Sequence, residues 1–329
     1  MRKPTRAREV GRGERVVRGA WRLRLPLPFP GVPHCNAWAL AAGDGLVLVD
    51  TGANLRGSVA DLERAFDQIG RRVEDVRLVV ITHAHVDHCG AAPVVAERAG
   101  CEVWIHPAYE LHARRRDPEE ALRRRVEVAR ASGVPDDRLR RWTARQRASG
   151  DGQAQPLRSD RDLLPGVTVE TDLGAWDVYE TPGHAPSHVC LHLPEHRLLI
   201  SGDHLLGRIS LYFDVGYTPD PVGEFLHSLG VIEPLGARLA LSGHGRPFTD
   251  VPGHIRGNRE LVARRLAAVG AALAGEPRTA YEVAREVYGD AYTEEMASWL
   301  MTETLAYLTH LAALGEATRS DDTPERWAT

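Results

Sequence analysis

Residues 81–90 read ITHAHVDHCG and place three histidines and one aspartate within six positions, at His83, His85, Asp87 and His88. The apolar run before them predicts a buried strand, and residues 91–99 predict a helix that ends at Gly100. In open α/β sheets, ligands bind beyond the carboxyl ends of the strands. The stretch therefore predicts a ligand site where a buried strand gives way to a helix.

The types of side chain in this stretch indicate a metal site. His83 and His85 alternate and can face one way, while Asp87 and His88 project in another direction from the loop. Such a division suits two adjacent metal ions better than one. Imidazole and carboxylate are good ligands for zinc, iron or manganese, and the lack of thiolates argues against a structural zinc site. A single loop histidine is usually a surface residue, but that interpretation fits poorly with four such side chains in six positions.

Three further candidate ligands follow along the chain, each at a predicted strand end and beside glycine. They are His184 in TPGHAPSH, Asp203 in LLISGDH and His244 in LSGHG. Glycine lets the backbone approach such a site closely. The remaining histidines considered as ligands are interpreted as structural: His34, His106, His188, His192 and His204.

Strand and helix signals alternate over the first hundred residues, which favours a layered α/β fold. Residues 34–50 predict two strands around the turn Gly43-Asp44-Gly45. Helical spacing of apolar residues predicts helices at 58–70, 222–230 and 256–274. Further strands are predicted at 101–106, 167–170, 176–181, 188–193, 197–203 and 238–245.

Two segments depart from this alternation. Residues 109–150 are helical in composition, and 111–150 contain 12 arginines against 6 acids. This is either a solvated helical face with i,i+4 ion pairs or a lid that attracts an anionic substrate. In the tail, Thr279 and Glu282 fit a capping box, residues 293–314 predict a helix, and the last fifteen residues fit a hairpin. Helix, helix and hairpin together are typical of a winged-helix order.

The charge of the tail argues against duplex DNA as a partner. Residues 276–329 carry 4 arginines and 11 acids, and DNA binding depends on cation contacts with phosphates. We expect this segment to pack on the core, to wall the active site or to form a homodimer contact. The whole chain has 329 residues and a net charge of −4. It has no apolar run of membrane-spanning length and no CxxC pair, so we expect a cytoplasmic protein with reduced cysteines and no membrane contact.

The order of the motifs resembles the metallo-β-lactamase superfamily. HAHVDH (83–88) is followed by histidine in TPGH, aspartate in SGDH and histidine in SGHG, and VDTG around Asp50 is similar to the first motif of that family. The resemblance covers about residues 20–250. It implies an αββα sandwich with the metals at one edge of the two sheets. The expected organisation is a catalytic domain at 1–250, with a helical insert at about 107–160, and a winged-helix-like domain at 251–329.

The resemblance also implies roles for each candidate. His83, His85 and His184 would bind a first metal, and Asp87, His88 and His244 a second. Asp203 would bridge both, and Asp50 would orient a ligand from behind. The cofactor would be two divalent ions, Zn²⁺ in the first instance with iron or manganese as alternatives, which share an attacking hydroxide. Asp87 or a water molecule would help proton transfer.

The predicted activity is hydrolysis of a small-molecule acyl compound, a thioester or an ester of the acyl-CoA, acyl-glutathione or acyl-carrier type. Asp203 stands where β-lactamases with two zincs often carry cysteine, which argues against antibiotics as substrates. Ala84 and the insert depart from glyoxalase II. Leu206 stands where lactonases carry tyrosine, so lactonase ranks lower, although Tyr212 or Tyr217 could substitute.

Two alternatives to the acyl hydrolase stay open. A metal-dependent endoribonuclease is one, because a core with a winged-helix-like tail resembles the β-lactamase-like protein 2 branch of the family. A metal-binding scaffold without activity is the other.

Overall fold

The computed structural model describes residues 10–29, 31–113, 117–149 and 156–329 of the chain. Within these residues, two β-sheets face each other and helices cover their outer sides. The first sheet has seven strands in chain order: β1 (Arg12–Val17), β2 (Ala20–Phe29), β3 (Val32–Ala42), β4 (Gly45–Val49), β5 (Val76–Ile81), β6 (Glu102–Ile105) and β7 (Arg161–Asp162). The second has five, in the order β12-β11-β10-β9-β8: β8 (Thr168–Thr171), β9 (Gly174–Glu180), β10 (Val189–Leu193), β11 (Leu198–Gly202) and β12 (Leu239–Ser242).

The first sheet contains an antiparallel part and a parallel part. Strands β1 to β4 pair antiparallel, whereas β4 to β7 pair parallel and need helical crossovers between them. In the second sheet the β11–β12 pair is parallel and the other pairs are antiparallel. The parallel pairs bring the carboxyl ends of β4, β5 and β6, and of β11 and β12, to common edges.

The described residues also form ten α-helices. They are α1 (Ser58–Gln68), α2 (Val86–Cys89), α3 (Ala92–Ala99), α4 (Tyr109–Ala113), α5 (Pro118–Ala131), α6 (Asp136–Ser149), α7 (Pro221–Ile232), α8 (Val251–Ala272), α9 (Ala280–Tyr288) and α10 (Ala297–Ala313). A terminal hairpin pairs β13 (Thr318–Arg319) with β14 (Trp327–Ala328). No helix in the described ranges is both long enough and apolar enough to cross a membrane.

Alternation along β4 shows how the layers form. Its side chains point alternately to the two faces of the sheet, so Leu46 and Leu48 join the outer core while Val47 and Val49 join the core between the sheets. The outer core is covered by α1 and α3. The inner core is filled by large side chains such as Trp38 and Trp176. A third core lies under helices α7 to α10, and the result is a layered helix–sheet–sheet–helix sandwich, as predicted.

Two predicted helices begin elsewhere than expected. Helix α8 begins at Val251 rather than near residue 256, because the Asp250 carboxylate caps it by accepting from the backbone N–H of Gly253. Helix α10 begins at Ala297 rather than 293, because the Thr293 hydroxyl accepts from the backbone N–H of Met296 and closes a turn instead.

The other local predictions are confirmed. The 43–45 turn joins β3 and β4, Thr279 and Glu282 form both hydrogen bonds of a capping box, and the terminal residues form a hairpin. The assignment of the tail to the winged-helix class stays a prediction, as does the domain boundary at 250.

The arginine-rich insert consists of α4, α5 and α6, with residues 114–116 and 150–155 lying outside the described part. Its charges are paired in part, for example between Arg141 and Asp137 on α6. Arg145 reaches Glu294 beyond α9 at 2.9 Å, and the backbone N–H of Tyr281 donates to the carbonyl of Ser132. The insert therefore packs against the C-terminal segment.

Candidate metal centre

The predicted ligands converge at one edge of the sandwich, where several strands end. His83 follows β5, and His85 lies just before α2, which carries Asp87 and His88. The remaining three follow strands of the second sheet: His184 comes after β9, Asp203 after β11 and His244 after β12. All seven candidates fall into three groups whose ligand atoms lie within 4.8 Å of one another. The structure therefore brings together every predicted ligand.

The first half of the site consists of His83, His85 and His184. His85 Nδ1 and His184 Nε2 face each other at 3.0 Å. The ring of His83 lies edge-on to the rings of both, with centroids 4.7 Å from His85 and 4.9 Å from His184. Three imidazole nitrogens thus meet in this half.

The second half consists of Asp87, His88 and His244. His88 Nε2 is 3.3 Å from His244 Nε2, and Asp87 Oδ2 is 3.4 Å from His244 Nε2. Asp203 lies between the halves. Its Oδ1 is 3.4 Å from His88, and its Oδ2 is 3.1 Å from His244 and 3.6 Å from His184. A carboxylate placed this way can serve both halves.

Each of the five histidines uses one ring nitrogen to contact the protein and turns the other toward the centre. The outward partners are Thr82 Oγ1 for His83, Asp214 Oδ2 for His85, Asp50 Oδ2 for His88, the carbonyl of Tyr212 for His184 and the carbonyl of His34 for His244. Such outer contacts fix the tautomer and ring orientation of a metal-binding histidine. The other ring nitrogens of all five histidines are therefore directed toward a common centre, where a metal could bind them.

Asp50 contacts the second half on the side away from the centre, and its position is fixed by an unusual backbone conformation and by hydrogen bonds. It lies just after β4 with φ of 60°, a conformation that few non-glycine residues adopt. Its carboxylate accepts from the backbone N–H of Thr82 at 2.8 Å and from the Thr82 hydroxyl. Its Oδ2 lies 2.8 Å from His88 Nδ1. Asp50 thereby orients His88 and ties it to the residue before His83.

The donor set fits divalent metal ions. Two nitrogens bound to one tetrahedral zinc at ~2.0–2.1 Å lie about 3.3 Å apart, close to the 3.0 Å and 3.3 Å between the facing nitrogens of the two halves. His83 Nε2 is buried and has no hydrogen-bond partner, although buried polar atoms normally have one. A Cβ at Gly243 would lie 2.2 Å from Asp203 Oδ1, so glycine is required for this close approach.

The electrostatics differ between the two halves. Burial, followed by the neighbouring His88 and His85, lowers the pKa of His83 well below its ordinary value. Burial lowers the pKa of His184 to about 4, with His85 adding to the effect. In the second half, burial opposes protonation, but Asp203 and the other carboxylates outweigh it and raise the pKa of His88 and that of His244. The carboxylate-rich half therefore retains protons that a metal must displace.

Two residues near the centre were not predicted at all. Asp214 and His112 adjoin His85, and these three form a fourth group of potential ligands. No motif in the sequence signals either of them, because neither lies in a glycine-flanked stretch at the end of a predicted strand.

Tyr212 and His188, which were not assigned as ligands from the sequence, both lie next to the centre. The ring of Tyr212 lies 5.8 Å from His85 and 5.7 Å from His184. The interpretation of His188 as a structural histidine missed its contact with the centre: His188 Nε2 accepts from the backbone N–H of Asp203 at 3.1 Å. Its place four residues after His184 was the only hint.

The other histidines interpreted as structural contribute no atom to the four groups found in the described ranges. His204 turns away from the centre and packs against the ring of Phe225. His106 pairs with Glu180 at 2.8 Å, and His192 is buried with both ring nitrogens unpartnered. His34 contributes its carbonyl, which accepts from His244.

Similar proteins share this fold over almost their whole length. A metallo-beta-lactamase family protein of Thermus thermophilus matches with a TM-score of 0.82, 27% identity and coverage of 95% of this chain and 99% of that one. A beta-lactamase domain protein of Burkholderia ambifaria matches with a TM-score of 0.81, 29% identity and coverage of 96% and 93%. Both carry the sandwich together with the additional segments.

Two relatives by sequence indicate the range of the family. The probable metallo-hydrolase YqjP of Bacillus subtilis is 26% identical over 88% of this chain and 91% of its own length. An atrochrysone carboxyl ACP thioesterase of Aspergillus chevalieri is 24% identical over 70% of this chain and 57% of its own length. The family model described as the metallo-beta-lactamase superfamily matches residues 30–244, which include all the predicted ligands. The chain belongs to the metallo-beta-lactamase superfamily and is a metal-dependent hydrolase.

Proposed function

We propose that this hydrolase cleaves a thioester or ester bond in a small acyl compound whose leaving group is anionic, such as an acyl-CoA or an acyl phosphopantetheine. The observation that carries the proposal is the similarity to an ACP thioesterase, which extends over 70% of the chain. Two divalent ions, with zinc as the first choice, would occupy the two halves of the site.

The protein would hold its cofactor through His83, His85 and His184 on one side and Asp87, His88 and His244 on the other, with Asp203 between them. When bound, such ions polarise a carbonyl and supply a nucleophile from water at neutral pH. Of the two carboxylates, Asp203 faces both halves, whereas Asp87 belongs to the second half alone and its side chain is the more exposed, at 14% against 8%. Asp87 would therefore be the carboxylate that accepts a proton from the attacking water.

The insert supplies the preference for an anion. Arg125 lies on α5 and is exposed. Burial raises the pKa of the Tyr212 phenol, and the positive charge of Arg125 acts in the opposite direction. Since the ring of Tyr212 adjoins His85 and His184, the charge of Arg125 acts on the surroundings of the first half. A guanidinium there can pair with a phosphate of the leaving group. Other arginines of the insert are engaged in ion pairs, such as Arg147 with Glu119.

A substrate screen of the zinc- and manganese-loaded protein tests the proposal. It includes acyl-CoA, S-acylglutathione, lactones, a phosphodiester reporter and single-stranded RNA, with Asp203→Asn as the inactive control for each. We expect turnover of acyl-CoA or another thioester and no cleavage of RNA. Cleavage of RNA without turnover of thioesters would overturn the proposal in favour of an endoribonuclease.

The role of Arg125 is tested separately. Arg125→Ala should raise KM for acyl-CoA about two- to fivefold, the range expected when a solvent-exposed ion pair is lost. KM for an acyl thioester with a small uncharged thiol should not change. Arg123→Ala is the matched control, because two residues rotate a side chain by roughly 200° around the helix. Equal effects of both variants on both substrates would contradict the assignment.

A further inference from the structure

A cluster outside the predicted ligand set joins the insert to the first half of the site. Asp214 Oδ2 lies 2.9 Å from His85 Nε2 and 2.9 Å from His112 Nε2. The three residues come from distant parts of the chain: His85 precedes α2, His112 lies on α4, and Asp214 lies between β11 and α7. Asp214 is 7% exposed, so its contacts with the two rings replace contacts with water.

The Asp214 carboxylate determines which nitrogen of His85 faces the centre. A carboxylate accepts hydrogen bonds, so His85 Nε2 carries the proton and Nδ1 retains its lone pair. His85 Nδ1 is the atom that lies 3.0 Å from His184 Nε2. Asp214 Oδ2 accepts in the same way from His112 Nε2, so one oxygen holds both rings.

His112 is itself fixed by the surrounding chain. Its ring stacks on Tyr217, with centroids 4.4 Å apart and planes 17° from parallel. It is held on a short helix that begins with Tyr109, a side chain packed against the outer core. Beyond α4 the chain continues into α5 and α6, which contact the C-terminal segment. In the described part of the insert, the imidazole of His112 thus connects its position to Asp214.

We propose that Asp214 and His112 are positioning residues that fix the ring of His85, so that metal binding in the first half and docking of the insert stabilise each other. The proposal rests on the metal centre of the proposed function but not on the identity of its substrate. Outer partners of a metal-binding histidine typically alter metal affinity roughly 10- to 100-fold when they are removed. By linkage, if docking of the insert increases the affinity for the metal, metal binding stabilises the docked insert by the same free energy.

The same three residues could alternatively hold a third ion, since they form one of the potential ligand groups. Such an ion would require His85 to bind metal through both ring nitrogens, because Nδ1 already faces His184. The short contacts of Asp214 Oδ2 with both rings are those of a hydrogen-bond acceptor between two N–H donors. Metal stoichiometry separates the two interpretations: the positioning role predicts two ions per chain, and the alternative predicts three.

Titration of the metal-free full chain with Co²⁺ tests the proposal, with absorption spectra as the readout. We expect Asp214→Ala to lower the affinity for one of the two ions about 10- to 100-fold. His112→Ala should lower the affinity for the same ion to a smaller extent. His112→Gln should restore much of the affinity, since its amide N–H can donate to Asp214. His106→Ala is the matched control: it removes a histidine–carboxylate pair of similar length, His106 with Glu180, away from the ligands.

The coupling between metal and insert has its own readout. Zinc loading should slow hydrogen exchange in α4 of the natural chain several-fold more than in Asp214→Ala, and it should leave α4 of His112→Ala almost unchanged. Circular dichroism shows whether each variant is folded, and Asp214→Asn provides a shape-preserving second variant. Unchanged cobalt affinity and spectra in Asp214→Ala and His112→Ala, or a third ion lost from both, would overturn the proposal. Absence of metal binding in the natural chain would instead refute the proposed function.

Discussion

The two halves of the metal centre contain similar ligands but are supported by different parts of the molecule. The second half is supported by Asp50 at the end of β4 and by the carbonyl of His34 in β3, both in the first sheet. The first half is supported by Thr82, by the carbonyl of Tyr212 and by Asp214, which also contacts the insert. The second half is therefore fixed by the first sheet, while the first half depends in addition on the loop between β11 and α7 and on the insert.

The difference shows where such a fold can change without losing its metals. A strand end in a packed sheet cannot move without disturbing two cores, so Asp50 and His88 are constrained by the fold. The loop that carries Asp214 and the short helix that carries His112 lie outside the strands, and connecting segments vary more readily than strands. A change in the insert can thus alter metal affinity in the first half and leave the second half as it is.

Asp203 is the exception to this division, since it contacts both halves, and its replacement should have the largest effect. Asp203→Asn removes the negative charge that faces His88, His184 and His244. We expect kcat/KM to fall at least ~1000-fold, equivalent to about 4 kcal/mol, and both ions to bind more weakly. Metal analysis and steady-state kinetics measure these effects. Asp162→Asn, at an exposed strand end, is the control, and loss of only one ion in Asp203→Asn would show that Asp203 belongs to one half.

The sequence was sufficient to predict the sandwich, through the family resemblance, and to select seven residues that the structure brings together, because both rest on local motifs. Short apolar strands followed by histidine or aspartate beside glycine mark the positions where ligands meet, and the order of the motifs identifies the family. Asp50 was also predictable, since it lies in a motif at a strand end. Its contact with Thr82 follows from the parallel pairing of β4 and β5, which places the ends of the two strands side by side.

Asp214 and His112 could not be predicted, because their role depends on long-range packing. Asp214 is separated from His85 by 129 residues and from His112 by 102, and the sequence around each lacks a recognisable pattern. The start of α10 was wrong for a local reason, since the Thr293 hydroxyl competes with the backbone for the N–H of Met296.

Asp50→Asn sharpens the comparison between the halves. The variant keeps the shape of the side chain but removes the charge beside His88 Nδ1, so the inward Nε2 becomes a weaker donor. We expect the ion of the second half to bind about 10- to 100-fold more weakly, with the ion of the first half almost unaffected. Asp214→Asn should show the reverse pattern in the same cobalt titration. If both variants weakened both ions equally, the division into independently supported halves would be wrong.

The pH dependence of metal binding should also differ between the halves. Carboxylates outweigh burial and raise the pKa of His88 and His244, so both rings of the second half take up protons at a higher pH than an ordinary histidine. His83 and His184 stay neutral to lower pH, with the pKa of His184 at about 4. His85 is the one histidine of the first half whose pKa is raised, by Asp214 against the opposing effect of burial.

We therefore expect the second half to lose its ion first when the pH is lowered from about 8 to about 5.5. Since each proton competes with the metal, affinity should fall about tenfold per pH unit for each ring that must be deprotonated. Equilibrium dialysis against cobalt at a series of pH values measures both ions. Simultaneous loss of the two ions, or earlier loss from the first half, would contradict the assignment of carboxylate-stabilised protons to the second half.

The smallest expected effect concerns His188, which supports the backbone of Asp203 and hence both halves equally. His188→Leu leaves the N–H of Asp203 without its acceptor, which should lower the free energy of unfolding by ~1–3 kcal/mol. His192→Leu is the matched control, because that ring is buried with neither nitrogen partnered. Its replacement should be neutral or stabilising. Urea unfolding of the metal-free proteins at a pH of about 8 measures the difference.

The same two variants also test the direction in which the free energy of unfolding changes with pH. Burial lowers the pKa of both His188 and His192 below the ordinary value of 6.5. Below that pH the unfolded chain binds protons that the folded chain does not, so each histidine makes stability decline as the pH falls. Both leucine variants should therefore lose less stability than the natural chain between a pH of about 8 and one of about 5.5. A steeper loss in His188→Leu would mean that this ring is protonated in the folded protein and does not accept from Asp203.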